Sequence, residues 1–404
     1  MKKQISVHEL RYGMWVSEPD RPWLETPFLF QGFEIQSQEE IETLRSLCDH
    51  VYIDIDLGCD VDPGSSAIGS CTNNLTDHAE YAGATYQDQT RVEEELEAAK
   101  EIYANSKVAL AEIADGVRLE KKIDPRQVKQ TVTSIADSVI RNPNAFTLLT
   151  RLKSKDSYTY AHCLDVCALS LIFGRQLGFA KGELEILGIG TLLLDIGKLR
   201  IPTELLEKPD KLTPAEFKVI KTHVSHSVDI MSKAKGVLPD SIEIAHTHHE
   251  RDNGRGYPRK LAGKQIPIFG KMAAIVDCYD AMTSDRAYCC AISSHQALRN
   301  LYARKDKEFQ AGLIEQFIQC IGVYPVGSLV ELTTGEVGMV LSQNRVRRLR
   351  PEIMLILDEH KKPIESGAVI DLMTELLDSS GNPLEIKDVL EPGAYGIDSR
   401  EFFL

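Results

Sequence analysis

The chain reads as mainly α, a central helical bundle with a small α+β N-terminal domain in front and a small β-rich appendage behind. Three observations carry this reading. Helical apolar spacing dominates from Asp124 to about Ile321, where strand patterns are scarce. Ahead of it, short alternating apolar segments flank a single helical stretch. Beyond Tyr324-Pro325 the texture turns to β-type apolar runs separated by turn residues. At 404 residues the chain is long for one domain and comfortable for two or three.

Residues 1–57 form the predicted regulatory domain. Met14-Trp15-Val16 and Phe28-Leu29-Phe30 are strand candidates bounded by Gly13, Pro22 and Pro27. Ile41, Leu44 and Leu47 give Glu39 to Leu47 a helical face, and Val51 to Ile55 alternates as a strand does. Residues 58–90 shift to Gly, Ser, Asn, Asp and Thr, the composition of a flexible linker. Residues 91–123 read as a connecting amphipathic helix. Its apolar positions (Val92, Leu96, Ala99, Tyr103, Ser106, Leu110, Ile113, Val117) follow steps of four and three. A short coiled-coil homodimer and a helix packed on its own domain explain that seam equally well.

Residues 124–323 hold the bundle, cut into helices of ordinary length at Gly178, Pro202, Pro214, Pro239 and Pro267. Residues 324–404 close the chain with Gly327-Ser-Leu-Val-Glu-Leu, Gly338-Met-Val-Leu and Ile353-Met-Leu-Ile-Leu as strands, and Thr334-Gly335 as a turn.

Lys+Arg number 46 against 60 Asp+Glu, a net charge of −14, which argues against a nucleic-acid polymer or an anionic membrane surface as partner. A small anionic ligand needs only a local positive cluster or a metal. The central apolar run Ile186 to Leu194 falls far short of the roughly 20 residues of a membrane span. No apolar stretch follows Lys2-Lys3, so no secretory signal is expected. Nine scattered cysteines without a CxxC fit reduced thiols and a cytoplasmic location.

Six of the eleven histidines lie between His162 and His249, with Asp195, Glu250, Asp252, Asp277 and Asp280 close by in sequence. Imidazole and carboxylate together are the ligand set of Zn, Mn and Fe sites. A lone buried histidine is more often a hydrogen-bonded core residue, but six in one helical domain favour metal. Asp195 follows the apolar Leu192-Leu193-Leu194 and stands three residues before Lys198. The plain alternative there is a partly buried ion pair.

The order His162, Leu194-Asp-Ile-Gly-Lys198, Lys221-Thr-His223, His248-His-Glu-Arg251, Gly256-Tyr-Pro258 and Val276-Asp-Cys-Tyr-Asp-Ala-Met-Thr-Ser-Asp-Arg286 resembles the HD-GYP family. That family is a branch of the HD phosphohydrolases that hydrolyses cyclic dinucleotides. The resemblance runs from about Tyr158 to Ala297 and implies an HD-type helical bundle around one or two divalent ions, Mn or Fe. It places His162, Asp195, His223, His248, His249 and Asp277 at ligand positions, with Asp195 bridging. Asp195 and Lys198 become catalytic, while Lys198, Arg286, Gly256, Tyr257 and Pro258 face substrate. The Gly-Tyr-Pro loop is either a simple turn beside the site or, by the same resemblance, a contact surface for a signalling protein partner.

Three positions depart from the family pattern. Leu194 stands where a histidine ligand precedes the bridging aspartate. Tyr158 replaces a glutamate that recruits a third metal in some members, and Cys289 stands near a second basic residue. The site of His162, Asp195 and Asp277 thus lacks one ligand, which water, Asp280 or Tyr279 would fill. Two functions follow as expectations. One is a phosphodiesterase opening a 3′,5′ cyclic dinucleotide, cyclic di-GMP or 3′,3′-cyclic GMP-AMP, to the linear form. The other is a catalytically impaired receptor or protein-interaction regulator.

Overall fold

Alternation in sequence becomes alternation in burial in the first unit. His50-Val51-Tyr52-Ile53-Asp54 forms a strand whose Val51 and Ile53 are buried while their neighbours are partly exposed. In the computed structural model the described residues are 2–20, 33–35, 38–55, 59, 84–151, 158–208, 210–284, 291–344, 349–364, 368–378, 380–391 and 393–397. They divide into two compact units, residues 1–80 and 81–404. The first holds β1 (Lys2–Ser6), β2 (Trp15–Pro19), β3 (Phe33–Glu34), α1 (Gln38–Leu47) and β4 (His50–Asp54). The strands are antiparallel in the order β1-β4-β2-β3. Met14, Val16, Ile35, Ile41, Leu44, Val51 and Ile53 form much of its core. The strand expected at Phe28-Leu29-Phe30 lies outside the described residues, as does most of the expected linker.

The linker's last residues are tied to the second unit. The Tyr86 hydroxyl donates to the Phe179 carbonyl at 2.8 Å. Asp88 pairs with Arg175 at 2.8 Å, and the Gln89 N–H donates to the Arg141 carbonyl. Then comes α2 (Val92–Arg118). Its seam residues Ala99, Ser106, Leu110, Ile113 and Val117 are buried. They face α3 (Pro125–Arg141), α4 (Pro143–Leu149) and α5 (Tyr158–Gln176), so the seam is satisfied within the chain. Glu95 on the same face is buried and accepts from Ser138 at 2.6 Å and from both ends of the Arg141 guanidinium.

Helix starts follow the local chemistry. Asp124 and Asn142 cap α3 and α4 by accepting the N–H groups of Arg126 and Asn144, and a proline opens each helix. Ala161 to Arg175 of α5 is buried throughout, as a helix at the centre of a bundle must be. The chain continues through α6 (Lys181–Leu193), which packs on α5, and then α7 (Thr203–Leu206), α8 (Pro214–Lys221), α9 (His223–Ser232) and α10 (Pro239–Thr247). The bundle is completed by α11 (Ile268–Met282), α12 (Ser294–Tyr302) and α13 (Ala311–Ile321). No described helix is long and apolar enough to cross a membrane.

The last segment is an antiparallel sheet of β5 (Leu329–Leu332), β6 (Val337–Ser342), β7 (Glu352–Leu357), β8 (Val369–Asp371) and β9 (Ile386–Val389), ordered β8-β7-β6-β5-β9. It packs on the bundle through β6 and α4. The three expected strands are present. The two edge strands are additional, and their short, partly exposed sequences carry little apolar signal.

Candidate metal centre

Asp195 sits where α6 ends, with φ −104° and ψ 6°, at the head of the 3-10 segment Ile196–Arg200. Bridge-region backbone of this kind recurs at active sites. What brings it against α9 is Gly197. A Cβ there would lie 2.1 Å from the His223 carbonyl oxygen and 2.4 Å from the Ser227 nitrogen. The bare backbone packs instead, and the Gly197 N–H donates to Ser227 Oγ at 2.8 Å. His223 heads α9, His248 and His249 follow the end of α10, and His162 lies on α5 opposite Asp277 and Asp280 of α11.

Two groups of ligand atoms result, and Asp195 belongs to both. Asp195, His223, His248 and His249 form one, while His162, Asp195 and Asp277 form the other, each with its atoms within 4.8 Å of one another. Asp195 Oδ1 is 3.3 Å from His223 Nε2 and 3.9 Å from His248 Nε2. Asp195 Oδ2 is 3.5 Å from His162 Nε2, which is also 3.1 Å from Asp277 Oδ1. Lys198 Nζ reaches Asp195 Oδ2 at 2.5 Å, so the ion pair suggested by their spacing exists within the same cluster.

Three atoms test whether this arrangement suits a cation. Asp195 Oδ1, His223 Nε2 and His248 Nε2 are buried without a hydrogen-bond partner among the described residues. Buried polar atoms are rarely left so. The other ring nitrogens are engaged: Nδ1–H of His223 donates to the Ile220 carbonyl at 2.7 Å, and that of His248 to the Ala245 carbonyl at 2.8 Å. Each leaves an Nε2 lone pair aimed at Asp195, the tautomer a metal needs. The donor set fits a divalent ion.

Titration behaviour agrees. Burial lowers His223 to about 4 despite the neighbouring Asp195 carboxylate, and lowers His248 and His249 as well. Burial opposes ionisation of Asp195, yet Lys198 and the His162 hydrogen bond hold its carboxyl well below the usual range. Burial also disfavours a charged His162, but hydrogen bonds with Asp195, Asp277 and Asp280 raise it to about 10. Neutral imidazoles therefore face the ionised Asp195 carboxylate in the first group.

Asp280 is not the replacement ligand that the sequence left open. Its Oδ2 holds His162 Nδ1 at 2.7 Å, on the ring edge away from Asp195, and accepts from Ser284 at 3.2 Å. It orients the imidazole in the manner of carboxylate–histidine–metal triads. Tyr279 is buried, with its hydroxyl bonded to Arg151. Sequence reasoning missed the role of Asp280, although its place one turn after Asp277 was a signal for a shared face.

The Gly-Tyr-Pro loop packs directly on His249. A Cβ at Gly256 would lie within 2.6 Å of the backbone at His249, Glu250 and Arg251, so only glycine admits this contact. The tight turn expected from glycine falls at Gly254, with φ +70°. The Tyr257 ring stacks on His249 with centroids 4.6 Å apart and 30° between planes. Buried Glu250 fastens the loop's far side by accepting the N–H groups of Arg259 and Leu261 at 2.7 and 3.0 Å. Pro258 is exposed. Arg286 and Cys289 lie outside the described residues, as does the Tyr158 side chain.

A cyclic di-GMP phosphodiesterase of Pseudomonas aeruginosa is 34% identical to this chain over 374 residues, covering 92% of this chain and 89% of the relative. The chain belongs to the HD-GYP phosphodiesterase family. The HD domain matches residues 137–312, and a KOW domain associated with HD domains matches 329–377, within the C-terminal sheet. A domain of unknown function matches residues 2–128. Two further relatives share shorter stretches. A 3′3′-cGAMP-specific phosphodiesterase of Vibrio cholerae is 33% identical over 43% of this chain and 34% of its own length. A cyclic di-GMP phosphodiesterase of Thermotoga maritima is 35% identical over 41% of this chain and 45% of its own length.

Proposed function

We propose that this HD-GYP chain is a metal-dependent phosphodiesterase that opens a 3′,5′ cyclic dinucleotide to its linear form, with cyclic di-GMP first and 3′,3′-cyclic GMP-AMP second. The observation that carries the reading is the pair of ligand groups joined at Asp195. Divalent metal, Mn or Fe in this proposal, supplies Lewis acidity and an activated water when bound. His162, Asp195 and Asp277 hold one ion, and Asp195, His223, His248 and His249 hold the other. Asp280 orients His162, and Tyr257 braces His249. Lys198, partly exposed beside Asp195, neutralises charge that builds on the phosphoryl oxygens. Arg286 is assigned to the phosphate by its place in the motif.

The deciding experiment combines metal quantification with product analysis on the full chain reconstituted anaerobically with Mn(II) or Fe(II). Stoichiometric metal and a linear dinucleotide product are expected. Absence of bound metal after reconstitution would sink the proposal.

Leu194 favours a second reading, an impaired enzyme acting as a receptor that reports to a signalling partner. It is fully buried and directly precedes Asp195, where the family pattern has a ligand. An imidazole introduced by Leu194→His must find the metal or remain unpaired, at a cost of about 1–3 kcal/mol. For a compromised two-metal enzyme, the variant should hold more metal per chain and turn over about tenfold faster or more. Added metal without turnover would favour the receptor. Unchanged metal and unchanged rate would count against Leu194 as a deficit.

A further inference from the structure

The first ligand group is closed on most sides. His162, Asp195, His223 and His248 are at most 4% exposed, and only His249 of the four-residue group is half-buried. A diester held there must leave its bases outside, beside His249. Tyr257 covers that histidine, and Phe217 of α8 meets the Tyr257 ring edge-on, with centroids 6.3 Å apart and planes at 81°. Phe217 is 43% exposed, so part of its ring is open to solvent beside the site. Lys221 Nζ lies 4.5 Å from the Phe217 centroid and 5.0 Å from that of Tyr257. Among the described residues Lys221 has no carboxylate partner. Both residues are fixed to the centre, because α8 runs through Thr222 directly into His223.

A partly exposed aromatic ring beside an ammonium with no carboxylate partner among the described residues is chemistry that recognises a nucleobase and its adjoining phosphate. We infer that Phe217 and Lys221 form a purine-base subsite at the mouth of the metal centre, an inference that rests on the phosphodiesterase reading above. Phe217 stacks the base, while Lys221 meets the phosphate side of the same nucleotide.

The test compares equilibrium binding of guanosine 5′-monophosphate and ribose 5-phosphate to the full chain loaded with Mn(II). The difference between the two ligands isolates the base. Wild type should prefer the nucleotide, and Phe217→Leu should cut that preference about tenfold, the scale of one lost base–aromatic stack. Phe217→Trp should restore it, and Lys221→Met should weaken both ligands together. A wild type without preference, or a Phe217→Leu variant that keeps it, overturns the subsite. Loss of metal from Phe217→Leu also overturns it, since Phe217 would then act only by supporting Tyr257 and His249. Turnover of cyclic di-GMP, measured in parallel, reports on the phosphodiesterase reading separately. No turnover with the base preference intact sinks that reading and leaves the subsite standing.

Discussion

Asp195→Ala is expected to abolish measurable hydrolysis, with a fall on the order of a thousandfold, and to strip most of the metal. One oxygen of Asp195 faces His223 and His248, and the other faces His162 and Lys198. Losing a partner that merely orients a ligand costs about 10–100-fold, and here a direct ligand leaves two sites at once. Asp195→Asn separates charge from shape, since the amide keeps the volume but offers one neutral acceptor. It should also lose metal. Metal analysis and initial rates on both variants decide the matter, with circular dichroism to verify folding. Wild-type turnover in Asp195→Ala would place the chemistry elsewhere.

Gly197→Ala should be nearly as damaging without touching a ligand. The new methyl would collide with backbone atoms of His223 and Ser227, which cannot rotate away as a side chain can. Overpacking commonly costs about 1–3 kcal/mol, and rigid backbone neighbours put this case at the upper end. The 3-10 segment and α9 must separate, opening the 3.3 Å approach of Asp195 to His223. Reduced denaturant stability and more than tenfold weaker metal binding are expected together. Gly182→Ala is the control. A Cβ there meets nothing within 4 Å in a helix, so that variant should gain about 0.4–1 kcal/mol. Equal stability of the two variants would refute the packing argument.

Much of this site was legible in order and spacing. The histidines, Asp195 and Asp277 are chemically conspicuous, and their motif implied a shared centre before any geometry was known. The N-terminal helix and the strand at Val51 were equally readable, because one buried face imposes its period on the sequence. The seam of α2 was ambiguous for a physical reason. Leu110 and Ile113 present the same apolar stripe whether a second chain or α3 to α5 covers it. Gly256 was readable as part of a turn and Gly197 only as a letter of its motif; their importance lies in what they touch, and contact is not written in local sequence. The side of His162 on which Asp280 falls was not legible, because sequence puts it near Asp277 without fixing the direction of its side chain.

The hydrogen bonds that set the imidazole tautomers carry a thermodynamic consequence. His223 and His248 are each anchored to a carbonyl three residues earlier in the chain, so the backbone itself orients their rings. Rotation that a free imidazole would lose on binding an ion is thus already restricted by the fold. Part of the entropy cost of assembling the site is therefore met when the bundle folds rather than when an ion binds.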